Sequence, residues 1–458
     1  MSSVDDSRPS GIRRQKLGEG AYGCVVAPAY RCLGLTFSRE NAAIAASPDK
    51  YVSKLFARPE DAIEEEKMAA AMRAVDPSGN FSVTPIAQCT TTVPTAEFEE
   101  LCPKVNKSRN MRISRENTYL QMILYPNGGP NLEQCALSGN YSKRQLIKSL
   151  TAIITQGLPQ MAAAGILHLD IKLDNMVLPK SGVAKFIDFG VSMSYKKALA
   201  PGSRLFNSFQ FRFPAEFYIM QTGEMRPLSK THKKLNLIPR EVAERLPKDM
   251  YNKQVGKFGR ELENLHDLSG KTFESMYAVL FVESFDLYSV AYCVADILAN
   301  PKLRFKTEED MGEEDRFTEE EGQKLAIWLQ NILTNNAFTR WNPAESAEYW
   351  NAIWEPTNTY AGAQLFETEL IQRARDRMSE AIRTKIFDGS FPYDYRGVDL
   401  YRSVSTKRKS PAFQGARGFA RGGARKHTTT RRSRSIDVRS KSPSARSRRS
   451  ASKKRTYR

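Results

Sequence analysis

The sequence predicts an α+β chain in two lobes, a small strand-rich one followed by a larger helical one, with a basic C-terminal tail that stays disordered. Three observations predict this. Short apolar stretches punctuated by turn residues crowd the first hundred-odd residues, the apolar spacing becomes helical after about residue 130, and beyond Ser403 the composition narrows to Ser, Arg, Lys and Gly.

The elements follow in order. "IRRQKLG" from Ile12 and "GCVVAPA" from Gly23 read as strands flanking a glycine turn, and "YVSKLFA" from Tyr51 alternates as a third. "PEDAIEEEKMAAAM" from Pro59 is a helix opened by proline and acids in its first turn. The apolar strand "YLQMILY" from Tyr119 stops at "PNGGP". Helical patterns then run through "SKRQLIKSLTAIITQGLPQMAAAG" from Ser142, "ESFDLYSVAYCVADILA" from Glu283 and "EEEGQKLAIWLQNILT" from Glu319. The expected boundaries are a disordered segment at 1–10, a strand-rich lobe at 11–126, a helical lobe at 127–390 and the tail at 403–458. A cleft between such lobes is the natural place for a ligand.

The net charge of +18 is concentrated in the tail. From Ser403 to Arg458 there are 19 Lys or Arg against one acid, Asp437, which leaves 50 bases and 50 acids in the rest. The tail has too few aliphatic side chains to offset its ordering entropy, and its charge suits phosphates in nucleic acid or on an anionic surface. Arg-Gly-Phe and Arg-Gly-Gly steps favour nucleic acid, because guanidinium and Phe stack on exposed bases. No run of about 18 apolar residues occurs and the start lacks a secretory pattern, so the expectation is an intracellular chain without a membrane span. The six cysteines (Cys24, Cys32, Cys89, Cys102, Cys135, Cys293) form no Cys-x-x-Cys pair and lie far in sequence from the four histidines. Reduced, buried thiols rather than a zinc site are expected.

Three constellations carry chemistry. "LGEGAYGCV" places Gly18, Gly20 and Gly23 between two strands, where backbone N–H groups can approach a polyphosphate and Val25 can cover a flat apolar base. A strand rather than a helix follows, which argues against a dinucleotide fold. "LSGKT" from Leu268 lacks the first glycine of a phosphate-binding loop, since Leu265 stands there. Lys54, inside an apolar strand, needs an acid partner. Glu65 is the first candidate, because Met68, Ala69 and Met72 follow it at helical spacing, and Glu66 is the second. Finally, "HLDIKLDN" from His168 and "FIDFG" from Phe186 supply Asp170, Lys172, Asn175 and Asp188. Asn175 and Asp188 offer hard oxygens that suit magnesium, Asp170 could accept the proton of a hydroxyl nucleophile, and Lys172 could sit on a transferring phosphoryl group.

In order and spacing these motifs resemble the eukaryotic protein kinase family, with its Gly-rich loop, strand lysine, His-Arg-Asp-x-Lys-x-x-Asn and Asp-Phe-Gly. "FRFPAEF", with Glu216, resembles the segment closing the activation loop. "FDLYSVAY", with Asp286 and with Ala291 for glycine, resembles the central helix, and "TRWNPAESAEYW" supplies Arg340 as the partner of Glu216. The resemblance implies a bilobal kinase fold and phosphorylation of Ser or Thr on proteins with ATP and Mg2+. On that footing Gly18, Gly20 and Gly23 cover the phosphates, and Lys54 pairs with Glu65 and the α/β-phosphates. Asp170 is the base, Lys172 steadies the γ-phosphate, and Asn175 and Asp188 hold the metal. Val25, Val52, Leu124, Tyr125 and Val177 contact the nucleotide, the hinge being Leu124 to Asn127. Asp174 is left solvated, without a catalytic role.

The departures matter as well. Leu169 replaces the arginine that holds a phosphorylated activation loop, which implies constitutive activity. Val52 stands where alanine is usual. An insertion of about 220–280 and extra sequence at Arg31 to Asp49 and Thr91 to Asn117 resemble kinases of large nucleocytoplasmic DNA viruses. That narrower likeness implies host cytoplasm or nucleus, or the virion, as the location, and a monomer is expected. The competing expectation is a pseudokinase or scaffold that binds partners or nucleic acid without turnover.

Overall fold

A computed structural model of the chain describes residues 13–20, 23–107, 116–198, 214, 280–334 and 338–387. The predicted segment 1–10, Glu216, the predicted insertion as far as residue 279 and the tail 403–458 lie outside the described residues.

The strand-rich lobe is a five-stranded antiparallel sheet in the order β1-β2-β3-β5-β4. β1 (Gln15–Glu19) and β2 (Gly23–Ala27) form the glycine hairpin. Helix α1 (Ser38–Ala46) precedes β3 (Tyr51–Phe56), and α2 (Pro59–Val75) follows it. β4 (Ala87–Pro94) leads into α3 (Thr95–Leu101) and α4 (Pro103–Lys107) before β5 (Asn117–Pro126) returns through the sheet.

Alternation along the strands gives the sheet two faces. One face gathers Ala27, Val52, Phe56, Ile123 and Tyr125 with Ala62 of α2 and, from the helical lobe, Val177. The other gathers Cys24, Val26, Leu55, Cys89, Leu120 and Met122 with Phe98 of α3 and Val105 of α4, while Ile44 of α1 packs on Leu124. The two stretches of extra sequence thus build a helical cover over the outer face.

That cover corrects the cysteine expectation. Cys24 is bonded to Cys102 and Cys32 to Cys89, with Cα–Cα distances of 5.8 and 5.6 Å, and Cys135 and Cys293 are free and buried. Chain folding brings together cysteines 78 and 57 residues apart, which sequence spacing does not reveal.

Past β5 come α5 (Leu132–Leu137) and α6 (Lys143–Ser149), each opened by a capping box, from Asn131 and Ser142. The pattern from Ser142 is not one helix: a π-helical turn at Ile153–Gly157 separates α6 from α7 (Leu158–Ala163). Short strands follow, β6 (Ile166–Leu167) pairing β9 (Met193–Ser194) and β7 (Met176–Val177) pairing β8 (Lys185–Phe186), and then α8 (Tyr195–Ala198).

The larger core contains α9 (Phe285–Ala299), buried along most of its length and packed on α6 and α10 (Glu319–Ile332), while α11 (Pro343–Trp354) and α12 (Tyr360–Ala381) pack on α10 and on each other. Trp328, Trp341, Tyr349 and Trp350 fill the space between these helices. The C-terminal end of α2 is docked on β8: Asp76 accepts from the N–H groups of Asn80, Phe81 and Ser82, and the Phe186 N–H and C=O bond Phe81 and Val83. This contact and the β5–α5 connection set the cleft between the lobes. Among the described residues, no helix is long and apolar enough to cross a membrane.

Candidate active site

The cleft is organised around one buried lysine. Lys54 lies on β3 opposite Val25 of β2 and Ile123 of β5, and its Nζ donates to Glu65 Oε2 at 2.6 Å and to Asp188 Oδ1 at 2.8 Å. Glu65, on the buried stripe of α2 with Ala69 and Met72, is only 1% exposed, whereas Glu66 bonds Arg73 at 2.6 Å. Burial works against the Lys54 charge, but Asp188 and Glu65 outweigh it and the net shift is upward. Burial likewise opposes ionisation of Asp188, yet Lys54 and the Gly190 N–H bring its pKa to about 2. For Glu65 burial wins and the shift is upward. Gly190 permits the close approach of these groups, because a Cβ there would lie 3.1 Å from Glu65 Oε2 and 3.2 Å from Asp188 Oδ1.

The opposite wall comes from the loop between β6 and β7. Asn175 Nδ2 donates to Asp170 Oδ2 at 2.7 Å and to the Asp170 carbonyl at 2.9 Å, which fixes the carboxylate against the loop. Lys172 Nζ lies 3.3 Å from Asp170 Oδ2 and 3.4 Å from Asp174 Oδ2, so the second aspartate, read as solvated, shares the lysine while remaining 42% exposed. Burial lowers the Lys172 pKa less than these carboxylates raise it.

The loop is anchored from below by Asp286 at the start of α9, which accepts from the N–H groups of His168 at 2.6 Å and Leu169 at 3.1 Å. His168 is fully buried against Phe186 and Phe189, with Nε2 3.1 Å from the Ile187 carbonyl. Leu169 and Asp188 are the non-glycine residues with positive φ among the described residues, at 64° and 63°. Such backbone costs about 1–3 kcal/mol per residue and persists where surrounding bonds hold it, here those of Asp286 to Leu169 and of Lys54 to Asp188.

Asn175 and Asp188 are brought together by the β7–β8 hairpin and by the Ile187 N–H donating to the Asn175 carbonyl at 3.1 Å. Both fit a magnesium ion: the Asn175 amide nitrogen is committed to Asp170, which leaves its side-chain oxygen as donor, and Asp188 stays ionised. Two protein oxygens suit a metal that takes its other ligands from water and phosphate.

The glycine turn closes with Gly20 N–H donating to the Gly23 carbonyl at 2.9 Å, and Gly18 pairs with Val25. Val52 and Val177, with Val25 packed against them, line the apolar part of the cleft. Gly128 lets the chain pass close to this wall, since a Cβ there would meet Val177 Cγ2 at 2.6 Å.

Leu124 and Tyr125, both expected to contact the nucleotide, turn their side chains to opposite faces of the sheet. The Leu124 side chain packs on Ala29 and Ile44 at the outer face, and its carbonyl accepts from Ile86 N–H at 2.8 Å. Tyr125, opposite Val52, turns into the cleft and donates its hydroxyl to Glu65 Oε1 at 2.6 Å. Strand alternation decides this, and its phase depends on the β3–β5 register rather than on composition. Sequence reasoning missed Tyr125 as a partner of Glu65; the signal was a tyrosine two residues from Ile123, which pairs with the strand lysine. Arg340 is buried and Nη2 donates to the Thr334 carbonyl at 2.8 Å.

Comparison with known proteins finds similarity over part of the chain. Residues 96–212 match the sequence model of the protein kinase domain family, a stretch that includes Asp170, Lys172, Asn175 and Asp188 but not the glycine turn, Lys54 or Glu65. The chain is 35% identical over 83 residues to the serine/threonine-protein kinase BCK1/SLK1/SSP31 of Saccharomyces cerevisiae, covering 18% of this chain and 6% of that one. It is 32% identical over 88 residues to the mitogen-activated protein kinase kinase kinase mkh1 of Cytospora mali, covering 19% and 5%. It is 33% identical over 91 residues to the serine/threonine-protein kinase dst4 of Dictyostelium discoideum, covering 20% and 19%. The matches therefore span under a fifth of the length of these relatives. The chain is thus similar to protein kinases over residues 96–212 and to serine/threonine kinases over a part of comparable length, and a strand-rich part followed by helices fits such a fold.

Proposed function

We propose that this chain transfers the γ-phosphoryl group of ATP to serine or threonine hydroxyls of protein substrates. The observation that carries the reading is the joining of Lys54 to Glu65 and Asp188, together with the Asp170–Asn175 pair that the β7–β8 hairpin ties to the Asp188 segment. Lys54, held by Glu65, meets the α/β-phosphates, and the glycine turn covers them. Asp170, steered by the Asn175 amide, accepts the proton of the attacking hydroxyl while the acceptor oxygen bonds to the γ-phosphorus and the bond to the β-phosphate oxygen breaks. Lys172 offsets charge on the transferring group. Magnesium held by Asn175 and Asp188 would supply neutralisation of the phosphate oxygens.

Lysine at position 172 and the serine/threonine kinase relatives favour hydroxyl acceptors of the aliphatic type. Leu169 supports activity without phosphorylation of the activation segment: its side chain is buried and offers no guanidinium to a phosphate. Phosphatase-treated protein should keep its rate. The tail, with 19 bases against one acid, supports a polyanion-binding arm. Deletion of 403–458 should abolish a salt-sensitive affinity for nucleic acid. Its serines, with Lys-Ser-Pro at Ser410 and Ser442, are proposed targets whose phosphorylation would release the arm.

The deciding experiment is transfer of labelled γ-phosphate to a generic basic protein by the full chain and by Asp170→Ala. Transfer by the parent that the variant loses supports the reading; equal rates overturn it. A parent that binds ATP or nucleic acid without turnover would mark the chain as a scaffold.

A further inference from the structure

At the mouth of the glycine hairpin, Glu19 of β1 and Cys24 of β2 are cross-strand partners. Both are fixed to the same segment of extra sequence. Glu19 Oε1 accepts from the backbone N–H groups of Lys104 at 2.5 Å and Val105 at 3.0 Å, and Oε2 from Lys16 Nζ at 3.1 Å. The Glu19 side chain is 2% exposed although it borders a glycine turn. Cys24 is bonded to Cys102, two residues before Lys104, and Val26 and Leu55 share one core cluster with Phe98 and Val105. The last ladder pair before the turn is therefore pinned on both strands to α3–α4. Val25, next to Cys24, packs on the cleft face, so the pins hold from behind a strand whose front lines the ligand site.

A glycine-rich turn has much backbone freedom to lose on ordering, and a ligand that must order it binds more weakly. Fixing both flanks removes part of that cost before the ligand arrives. We propose that α3–α4 is a clamp on the phosphate-covering turn, with Glu19 and the Cys24–Cys102 bond as its two pins, and that Glu19 is thereby a positioning residue for the nucleotide. The inference rests on the reading of this cleft as an ATP site.

The test uses the full chain and initial rates against ATP concentration, with a basic protein as acceptor. Glu19→Ala should raise the apparent KM for ATP at least about fivefold while kcat stays within about twofold. Glu19→Gln, whose side-chain oxygen can still accept from the two amides, should restore KM to within about twofold of the parent. Combining Cys24→Ser with Cys102→Ser should raise KM as Glu19→Ala does. An unchanged KM in Glu19→Ala overturns the clamp, as does a Glu19→Gln variant as impaired as Glu19→Ala. Peptide mapping of the alkylated, unreduced parent should recover Cys24 joined to Cys102; two alkylated thiols there would overturn the covalent pin without any variant having to fold. A parent that neither binds ATP nor transfers phosphate removes the ATP-site reading instead, so the two failures are distinguishable.

Discussion

The two faces of the five-stranded sheet are built from alternate residues of the same strands and differ in almost every physical respect. The inner face presents Val25, Val52, Lys54 and Tyr125 to a cleft with a charged network at its back. The outer face presents Cys24, Val26, Leu55, Cys89 and Met122 to a helical cover with two disulfides. In β2 the change of role occurs between neighbours: Cys24 anchors the cover and Val25 borders the cleft. A strand of period two can thus serve chemistry on one side and fixation on the other, and substitutions on the two sides should separate rate from stability.

The largest expected effect is on rate alone. Asp170→Ala removes the carboxylate held by Asn175 at 2.7 Å, and transfer should fall by about 10²–10⁴-fold with little change in the unfolding midpoint. Initial rates and a thermal melt on the same preparation check both halves. A comparable loss of melting temperature would mean that the cleft face also carries the fold.

The mirror experiment lies on the outer face. Replacing Cys32 and Cys89 by serine opens a cross-link between positions 57 residues apart, remote from the glycine turn. About 2–4 kcal/mol of stability should be lost, a fall in midpoint of roughly 5–15 °C, with KM for ATP within about twofold of the parent. Differential scanning calorimetry without reductant measures the first, and steady-state kinetics the second. A several-fold rise in KM would show that the whole cover, rather than its Cys24–Cys102 edge, positions the cleft.

The same contrast explains what was legible in the sequence. The candidate cleft was legible because the chemistry proposed for it needs particular residue types at short spacings: Asp170, Lys172 and Asn175 fall within one loop, and the preference for Glu65 over Glu66 as the Lys54 partner followed from Ala69 and Met72 on one stripe of α2. Which of Leu124 and Tyr125 turns its side chain into the cleft was not legible, because the phase of β5 depends on its pairing with β3, a contact across more than 60 residues that no local pattern encodes. The outer cover was illegible for the same reason. Cysteines 78 residues apart carry no mutual signal, and Glu19 becomes a ligand of two amides only once α4 is laid against the hairpin. The π-helical turn at Ile153–Gly157 was hidden because its apolar spacing continues that of the helices on either side.

Tyr125→Phe sharpens the comparison from inside the cleft, since it deletes one hydroxyl and leaves the packing. The lost partner is a buried carboxylate at 2.6 Å. Hydrogen bonds to charged groups contribute about 1.5–3 kcal/mol, so a roughly tenfold loss of kcat/KM is expected, together with a modest fall in midpoint. The decisive reading is a double-mutant cycle with Glu65→Ala: if Tyr125 acts through Glu65, the second substitution should cost less than about twofold in that background. Additive losses would separate the two residues.

The smallest effect concerns pH. Asp188 is held at a pKa of about 2 against an ordinary 3.8, and a group with a depressed folded-state pKa contributes stability above its unfolded value that is lost as pH falls through the folded one. The difference in unfolding midpoint between the parent and Asp188→Asn should therefore be constant above about pH 5 and shrink between about 4 and 2. The Asp188 side chain is 43% exposed, so solvent and salt screen the pair and the difference should be small. Glu65 is shifted the other way by its burial, so its contribution declines as pH rises and opposes that of Asp188 in the parent profile. Asp188 also raises the Glu65 pKa and shares Lys54 with it, so the difference between the two profiles reports the coupled pair; a difference that persists undiminished to pH 2 would mean that packing around Phe189 and Gly190, rather than the charge, is what the aspartate contributes.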